Sequence, residues 1–212
     1  MAENKIDYAA KVTIDYPDRL LNRLTSFFRI FTVIPIAIVL GLLSSNGTSW
    51  GQHTHNWAVG AASGVGILFG STLLMILFRQ KYPKWWFDWN LAVTRFGARV
   101  GTYLLLMTDV YPSTDEEQSV HLVINYPDVK KDLNRWMPLV KWFLAIPHYF
   151  VLFFLAIASF ICIIVAWFAI LFTGRYPRGI FDFVLGVYRW GLRVSAYAIL
   201  LVTDKYPPFS LD

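Results

Sequence analysis

The stretch from Trp142 to Phe172 contains no Asp, Glu, Lys or Arg. An apolar run longer than about 20 residues can cross a bilayer as a helix, and a short chain has too little interior to hide one. The bias extends over the whole sequence. Of 212 residues, 56% are hydrophobic, 17% aromatic and only 16% charged, against about 25% charged in an ordinary soluble domain. The surplus apolar surface must face lipid, so the composition implies an all-α membrane protein. The net charge of +5 does not indicate nucleic acid. Lys and Arg sit beside apolar segments and next to Trp and Tyr, as at a membrane–water boundary that carries phospholipid head groups. A lone Cys162 excludes a disulfide framework and a cysteine metal cluster. Met1–Asp18 is polar and has no apolar signal region, so the first membrane helix is expected to act as its own insertion signal.

The chain also resembles itself. Tyr16-Pro17-Asp18 recurs as Tyr126-Pro127-Asp128, Asn22-Arg23 as Asn134-Arg135, and Ile34-Pro35 as Ile146-Pro147, with Arg29 answering to Lys141. Further on, Tyr82-Pro83 recurs as Tyr176-Pro177, Phe87-Asp88 as Phe181-Asp182, and Arg95-Phe96-Gly97-Ala98-Arg99 as Arg189-Trp190-Gly191-Leu192-Arg193. Thr108-Asp109 with Tyr111-Pro112 closes one series, and Thr203-Asp204 with Tyr206-Pro207 the other. Ordered recurrence of this kind marks a tandem duplication, with membrane repeats at 1–112 and 113–212. The first repeat carries a polar insert, Ser44–Asn56, that the second lacks.

Charge placement sets an expected topology. Thr25–Leu43 and Trp57–Phe78 read as spanning helices with their basic flanks in the cytoplasm and the insert outside. In Lys84–Met107, the residues Asp88, Arg95, Arg99 and Thr102 fall on one helical stripe. That block and Arg178–Val202 are therefore expected as amphipathic interfacial or re-entrant helices. The second repeat is expected to fit a spanning pair into 134–173 through a turn near Ala156–Ser159, with one long helix kinked at Pro147 as the competing reading. Short β segments at Val12–Asp15 and His121–Asn125 are expected to form a small cytoplasmic cap. The sum is about four transmembrane helices plus two interfacial ones, multi-pass in a bacterial inner membrane, with both termini cytoplasmic.

Arg175-Tyr-Pro-Arg-Gly-Ile-Phe-Asp-Phe183, Tyr188-Arg-Trp190, Arg193, Thr203-Asp-Lys-Tyr-Pro-Pro-Phe209 and Lys141-Trp-Phe-Leu-Ala-Ile-Pro-His-Tyr149 resemble the bacterial family called domain of unknown function 4389. The second repeat is similar over nearly its whole length. The first is a divergent copy, in which Ile36 replaces the His of Ile-Pro-His-Tyr and Lys81-Tyr-Pro-Lys84 replaces Arg-Tyr-Pro-Arg. The resemblance implies a membrane protein and no established activity. A lipase label carried by some relatives has no counterpart here: Gly60-Ala-Ala-Ser63-Gly64 lacks the Gly-x-Ser-x-Gly spacing of a nucleophile elbow.

The candidate functional groups are the charges placed in apolar segments, Asp88, Arg95, Arg99, Asp182, Arg189 and Arg193. Such charges must pair, snorkel or face water. They read either as structural Asp–Arg neutralisation or as a lipid-phosphate or anion site, since guanidinium binds phosphate in a fork. His148, beside Pro147, is a possible intramembrane polar site or a donor to a carbonyl freed by the proline. His53 and His55 lack the carboxylate or thiolate that a metal site needs, and no cofactor or metal is expected. Asn46-Gly-Thr48 has the form of a glycosylation acceptor, without weight in a bacterial inner membrane. Trp85, Trp86 and Trp89 read as interface anchors. Gly60/Gly64, Gly66/Gly70 and Ala158/Cys162/Ala166 offer close helix contact, within the chain, in a homo-oligomer, or with a membrane protein partner. The function expected is non-enzymatic binding of lipid or a partner protein at the cytoplasmic face. The alternative is a small channel or transporter lined by the two halves.

Overall fold

A two-stranded ribbon ties the distant halves of the chain together. The computed structural model describes residues 8–17, 20–44, 69–114, 116 and 118–212. Strand β1 (Ala10–Ile14) pairs antiparallel with β2 (Val120–Ile124), and Val12 faces Leu122 at the centre. Both strands begin a residue or two before the expected segments. Alternation decides their two faces: Ala10, Val12, Ile14, Val120, Leu122 and Ile124 are buried, while Lys11, Asp15, His121, Val123 and Asn125 are exposed.

Beneath the ribbon lie the two amphipathic helices, α3 (Lys84–Leu104) and α7 (Arg178–Ala198). Each starts after a Tyr-Pro corner, because Pro83 and Pro177 fix a backbone angle suited to a helix entry. The turn after each holds a left-handed residue that is not glycine, Leu106 (φ 66°) and Leu201 (φ 57°). That conformation costs about 1–2 kcal/mol, and the burial of both leucines offsets it. Strand β1 packs on α7, and β2 packs on α3.

The far side of this middle layer carries the most apolar helices. Helix α1 (Arg23–Ser44) lies on α3, while α5 (Met137–Leu144) and α6 (Ile146–Thr173) lie on α7. The described part of α2 (Phe69–Arg79) joins α3 through a hydrogen bond of 2.9 Å from Trp86 Nε1 to Thr72 Oγ1. A four-residue helix, α4 (Val129–Asp132), follows β2. Residues from both halves, among them Tyr8, Met107, Ala166 and Phe181, share one core. Helices α1 and α6 each include a stretch long and apolar enough to cross a membrane.

The expected turn at Ala156–Ser159 is absent, and α6 runs through it for 28 residues. Nothing there breaks a helix, whereas Pro147 lacks the N–H that would continue one. The break accordingly falls at Ala145, between α5 and α6, so the single long helix interrupted near Pro147 is the arrangement adopted. The insert, His53/His55, the Asn46 sequon, Gly60, Gly64, Gly66 and most of Trp57–Phe78 lie outside the described residues.

Close approach constrains one glycine. A Cβ on Gly186 of α7 would lie 2.8 Å from Leu211 O and 2.9 Å from Leu211 Cβ, so the C-terminal tail sits directly on the helix. Gly186→Ala is expected to displace the tail at a cost of about 1–3 kcal/mol. Faster carboxypeptidase trimming of the variant than of the wild type would register that displacement.

Candidate functional site

Helices α1 and α5 carry one buried cation each, and each cation meets a carboxylate from the loop after the neighbouring amphipathic helix. Arg29 of α1 and Lys141 of α5 are 2% and 0% exposed. The Arg29 guanidinium bonds Asp109 Oδ1 and donates to Tyr103 O at 2.9 Å and Thr108 O at 3.0 Å. Lys141 Nζ lies 2.7 Å from Asp204 Oδ1 and donates to Thr203 O at 2.7 Å. Each cation sits over a tyrosine ring, Arg29 at 4.5 Å from Tyr103 and Lys141 at 5.2 Å from Tyr197. Each carboxylate also accepts a backbone N–H at the entry to the apolar helix, from Asn22 at 2.7 Å and from Asn134 at 2.6 Å. A buried charge is tolerable only when it is paired and hydrogen-bonded, as both are, although Arg29 Nε has no partner among the described residues. The sequence reading did not join these residues into pairs, although Arg29/Lys141 and Asp109/Asp204 both recur in it.

The arginines picked out from the sequence have different partners from those expected. Asn125 N donates to Ala9 O and Asp15 N to Ser119 O, so the hydrogen-bonded pairs of the ribbon fall at odd residues of β1. Val12 and Leu122 are then a non-bonded pair, whose carbonyls point to the two outer edges. Arg189 Nε donates to Val12 O at 3.2 Å, and Arg95 Nε to Leu122 O at 3.0 Å. The arginines thus cap the exposed edges of a ribbon too small to cover its own. Arg99 donates to Ser113 O at 2.7 Å, and Arg193, itself buried, to Ser210 O. Asp88 and Asp182 are exposed, and among the described residues neither forms an ion pair with these arginines. Tyr8 donates to Lys205 O at 2.8 Å. Burial holds its phenol above the ordinary tyrosine range, which keeps it a neutral donor.

His148 is fully buried and does not bond a freed carbonyl. Its Nδ1 accepts from Trp190 Nε1 at 3.0 Å, and Phe209 stacks on the ring at 4.0 Å. The acceptor role of Nδ1 places the proton on Nε2, which has no partner among the described residues. The corresponding place in the first half holds Ile36 against Phe96. One location has a polar pair, and the other an apolar one.

Other contacts come in pairs too. Tyr16 OH donates to Tyr176 O and Tyr126 OH to Tyr82 O, each tyrosine reaching the Tyr-Pro corner of the opposite half. Tyr16 meets Phe181 edge-on at 5.1 Å, as Tyr126 meets Phe87 at 5.1 Å. Among the described residues there is no His, Cys, Asp and Glu grouping able to hold a metal ion.

Residues 135–210, which include α5, α6 and α7, match the family model described as Domain of unknown function (DUF4389). Neither the curated proteins nor the solved structures give a match.

The pairing yields two expectations. His148→Ile alone leaves the Trp190 N–H buried without an acceptor, a cost of about 1–3 kcal/mol. Adding Trp190→Phe reproduces the first-half pair and should recover much of that loss in detergent melting. Lys141→Met should cost about 3–5 kcal/mol by stranding Asp204. Lys141→Met/Asp204→Asn should cost less than the single change by the same measurement.

Proposed function

We propose that the chain is a non-enzymatic membrane protein that binds lipid, embedded from one side by its apolar helices and presenting its ribbon to the aqueous, cytoplasmic phase. The observation that carries this reading is the stacking order. Strand β1 follows α7 from Tyr16 against Phe181 to Tyr8 near Tyr197. Helix α6 also packs along α7, from His148 against Trp190 to the turn at Gly174 that joins the two helices. Ribbon, α7 and α6 therefore run alongside one another. A perpendicular α6 would carry Lys11, Asp15, His121 and Asn125 into hydrocarbon, where charged and polar side chains are costly to place. Laid in the plane of the bilayer, the same stack puts those residues in water. It also puts Phe150, Phe154, Ile157, Ile161, Phe168 and Phe172, all exposed, in the acyl region. Trp85 and Trp136, 69% and 64% exposed, suit the head-group level. This arrangement replaces the four crossings expected from charge parity with one-sided insertion.

The duplication belongs to the same proposal. It is supported by the recurrent contacts above and by a strand register in which the pairs Ala10–Ile124 and Ile14–Val120 flank Val12–Leu122 evenly. The two halves then exchange strands about an axis through the centre of the ribbon.

Two matched substitutions test the orientation. Ile157→Lys places a charge in the acyl layer, at a cost of about 3 kcal/mol, and should reduce liposome flotation severalfold. Val123→Lys, on the outer face of the ribbon, should leave flotation unchanged. The reverse pattern would sink the proposed orientation.

A further inference from the structure

A groove of about 690 Å³ opens where the corner after α2 meets the segment after β2. Arg79, Lys81, Lys84 and Lys130 line it, facing one carboxylate, Asp128. That carboxylate is already engaged: Oδ1 accepts from Lys130 N at 3.2 Å, and Oδ2 lies 3.6 Å from Lys131 Nζ outside the groove. Among the described residues, none of the four cations has an ion-pair partner. The backbone adds to the imbalance. Helix α3 enters the groove at Pro83 and Lys84 with no side-chain cap and no acid in its first turn, so its partial positive charge is uncompensated there.

The walls of the groove are held firmly. Gln80 ends α2 in a left-handed conformation (φ 45°). Tyr126 OH bonds Tyr82 O across the groove, and Tyr126 packs edge-on against Phe87. At the corresponding corner of the second half, Arg178 lies over the Tyr16 ring at 4.7 Å.

Apolar surface lies immediately beside this charge. Leu74 and Phe78, one turn apart on α2, are exposed, as is Trp85 at the start of α3. Arg135, donating to Leu77 O, brings the exposed Trp136 to the same end of α2. A small soluble anion would use the cations and ignore this collar. An amphiphile would use both, with its phosphate among the cations and its acyl chains over Leu74 and Phe78.

From this juxtaposition we infer that the groove between the 79–84 corner and residues 126–130 binds the phosphate of an anionic phospholipid from the surrounding leaflet. The inference rests on the membrane-embedded reading and adds a specific headgroup site to it. It differs from an anion site on Arg95, Arg99, Arg189 and Arg193, which each give a donor to backbone carbonyls.

The test is native mass spectrometry of the full chain released from nanodiscs containing phosphatidylcholine and phosphatidylglycerol. The wild type should retain phosphatidylglycerol preferentially. Lys81→Gln/Lys84→Gln should lower that preference about tenfold or more, whereas Arg23→Gln/Arg175→Gln, with the same change in charge outside the groove, should keep it. Millimolar inorganic phosphate should not displace the lipid. The inference is overturned if the wild type shows no preference, if both double variants lose it equally, or if inorganic phosphate competes. Flotation of Lys81→Gln/Lys84→Gln with liposomes distinguishes loss of the site from failure of membrane insertion.

Discussion

A two-stranded ribbon is marginal alone in water, and the rest of this molecule is arranged around making it stable. Its inner face is apolar and needs cover, which α3 and α7 provide. Its outer edges present the carbonyls of Val12 and Leu122, which Arg189 and Arg95 cap. Because β1 rests on a helix of the second half and β2 on a helix of the first, neither half completes its core without the other. The amphipathic helices in turn have an inner side to bury, against α1 on one and α5 and α6 on the other. At that point the chain runs out of layers, and the outer faces of α1 and α6 stay apolar and exposed. On the proposed orientation, lipid is the fourth layer.

The buried cations follow from the same arrangement. Arg29 and Lys141 sit near the starts of the apolar helices, each facing the loop that leaves an amphipathic helix. An ion pair there fixes how the two helices meet end to end, which apolar packing specifies poorly. Breaking a buried pair costs more than the pair contributes, so these residues act as a registration device. On the proposed duplication, Ile36 and Phe96 stand where the second half has His148 and Trp190, in keeping with a complementary rule: a buried polar contact is lost at little cost only when both partners leave.

Much of this was legible in the sequence. The amphipathic stripes of α3 and α7, the strand pair and the break near Pro147 follow from periodicity, alternation and proline chemistry. The partners of the arginines were not legible. Asp88 and Asp182 suggested neutralisation of the arginines of their own or the other half, but the acceptors of Arg95 and Arg189 are carbonyls on the strands. Strand exchange brings those carbonyls close, and no local pattern encodes it. The pairs Arg29–Asp109 and Lys141–Asp204 were visible only as separate recurring residues, because their contact spans a whole helix hairpin. The turn at Ala156–Ser159 came from charge parity, which presumes crossing helices; continuous helical propensity through that stretch decided the outcome. The groove at Arg79–Lys84 depends on the approach of Tyr126–Lys130 and needs the tertiary structure to be seen.

The central claim is that α6 lies along the membrane and does not pass through it. At about 1.5 Å per residue, its 28 residues extend about 42 Å, more than the roughly 30 Å of a bilayer core. Phe150, Ile161 and Phe172 point outward from its beginning, middle and end. Nitroxide labels placed there one at a time, with depth read by electron paramagnetic resonance against oxygen and a water-soluble relaxant, give the most direct answer. The account predicts nearly equal depths at all three positions. A deep label at Ile161 with shallow ones at Phe150 and Phe172 would show a spanning helix and contradict it.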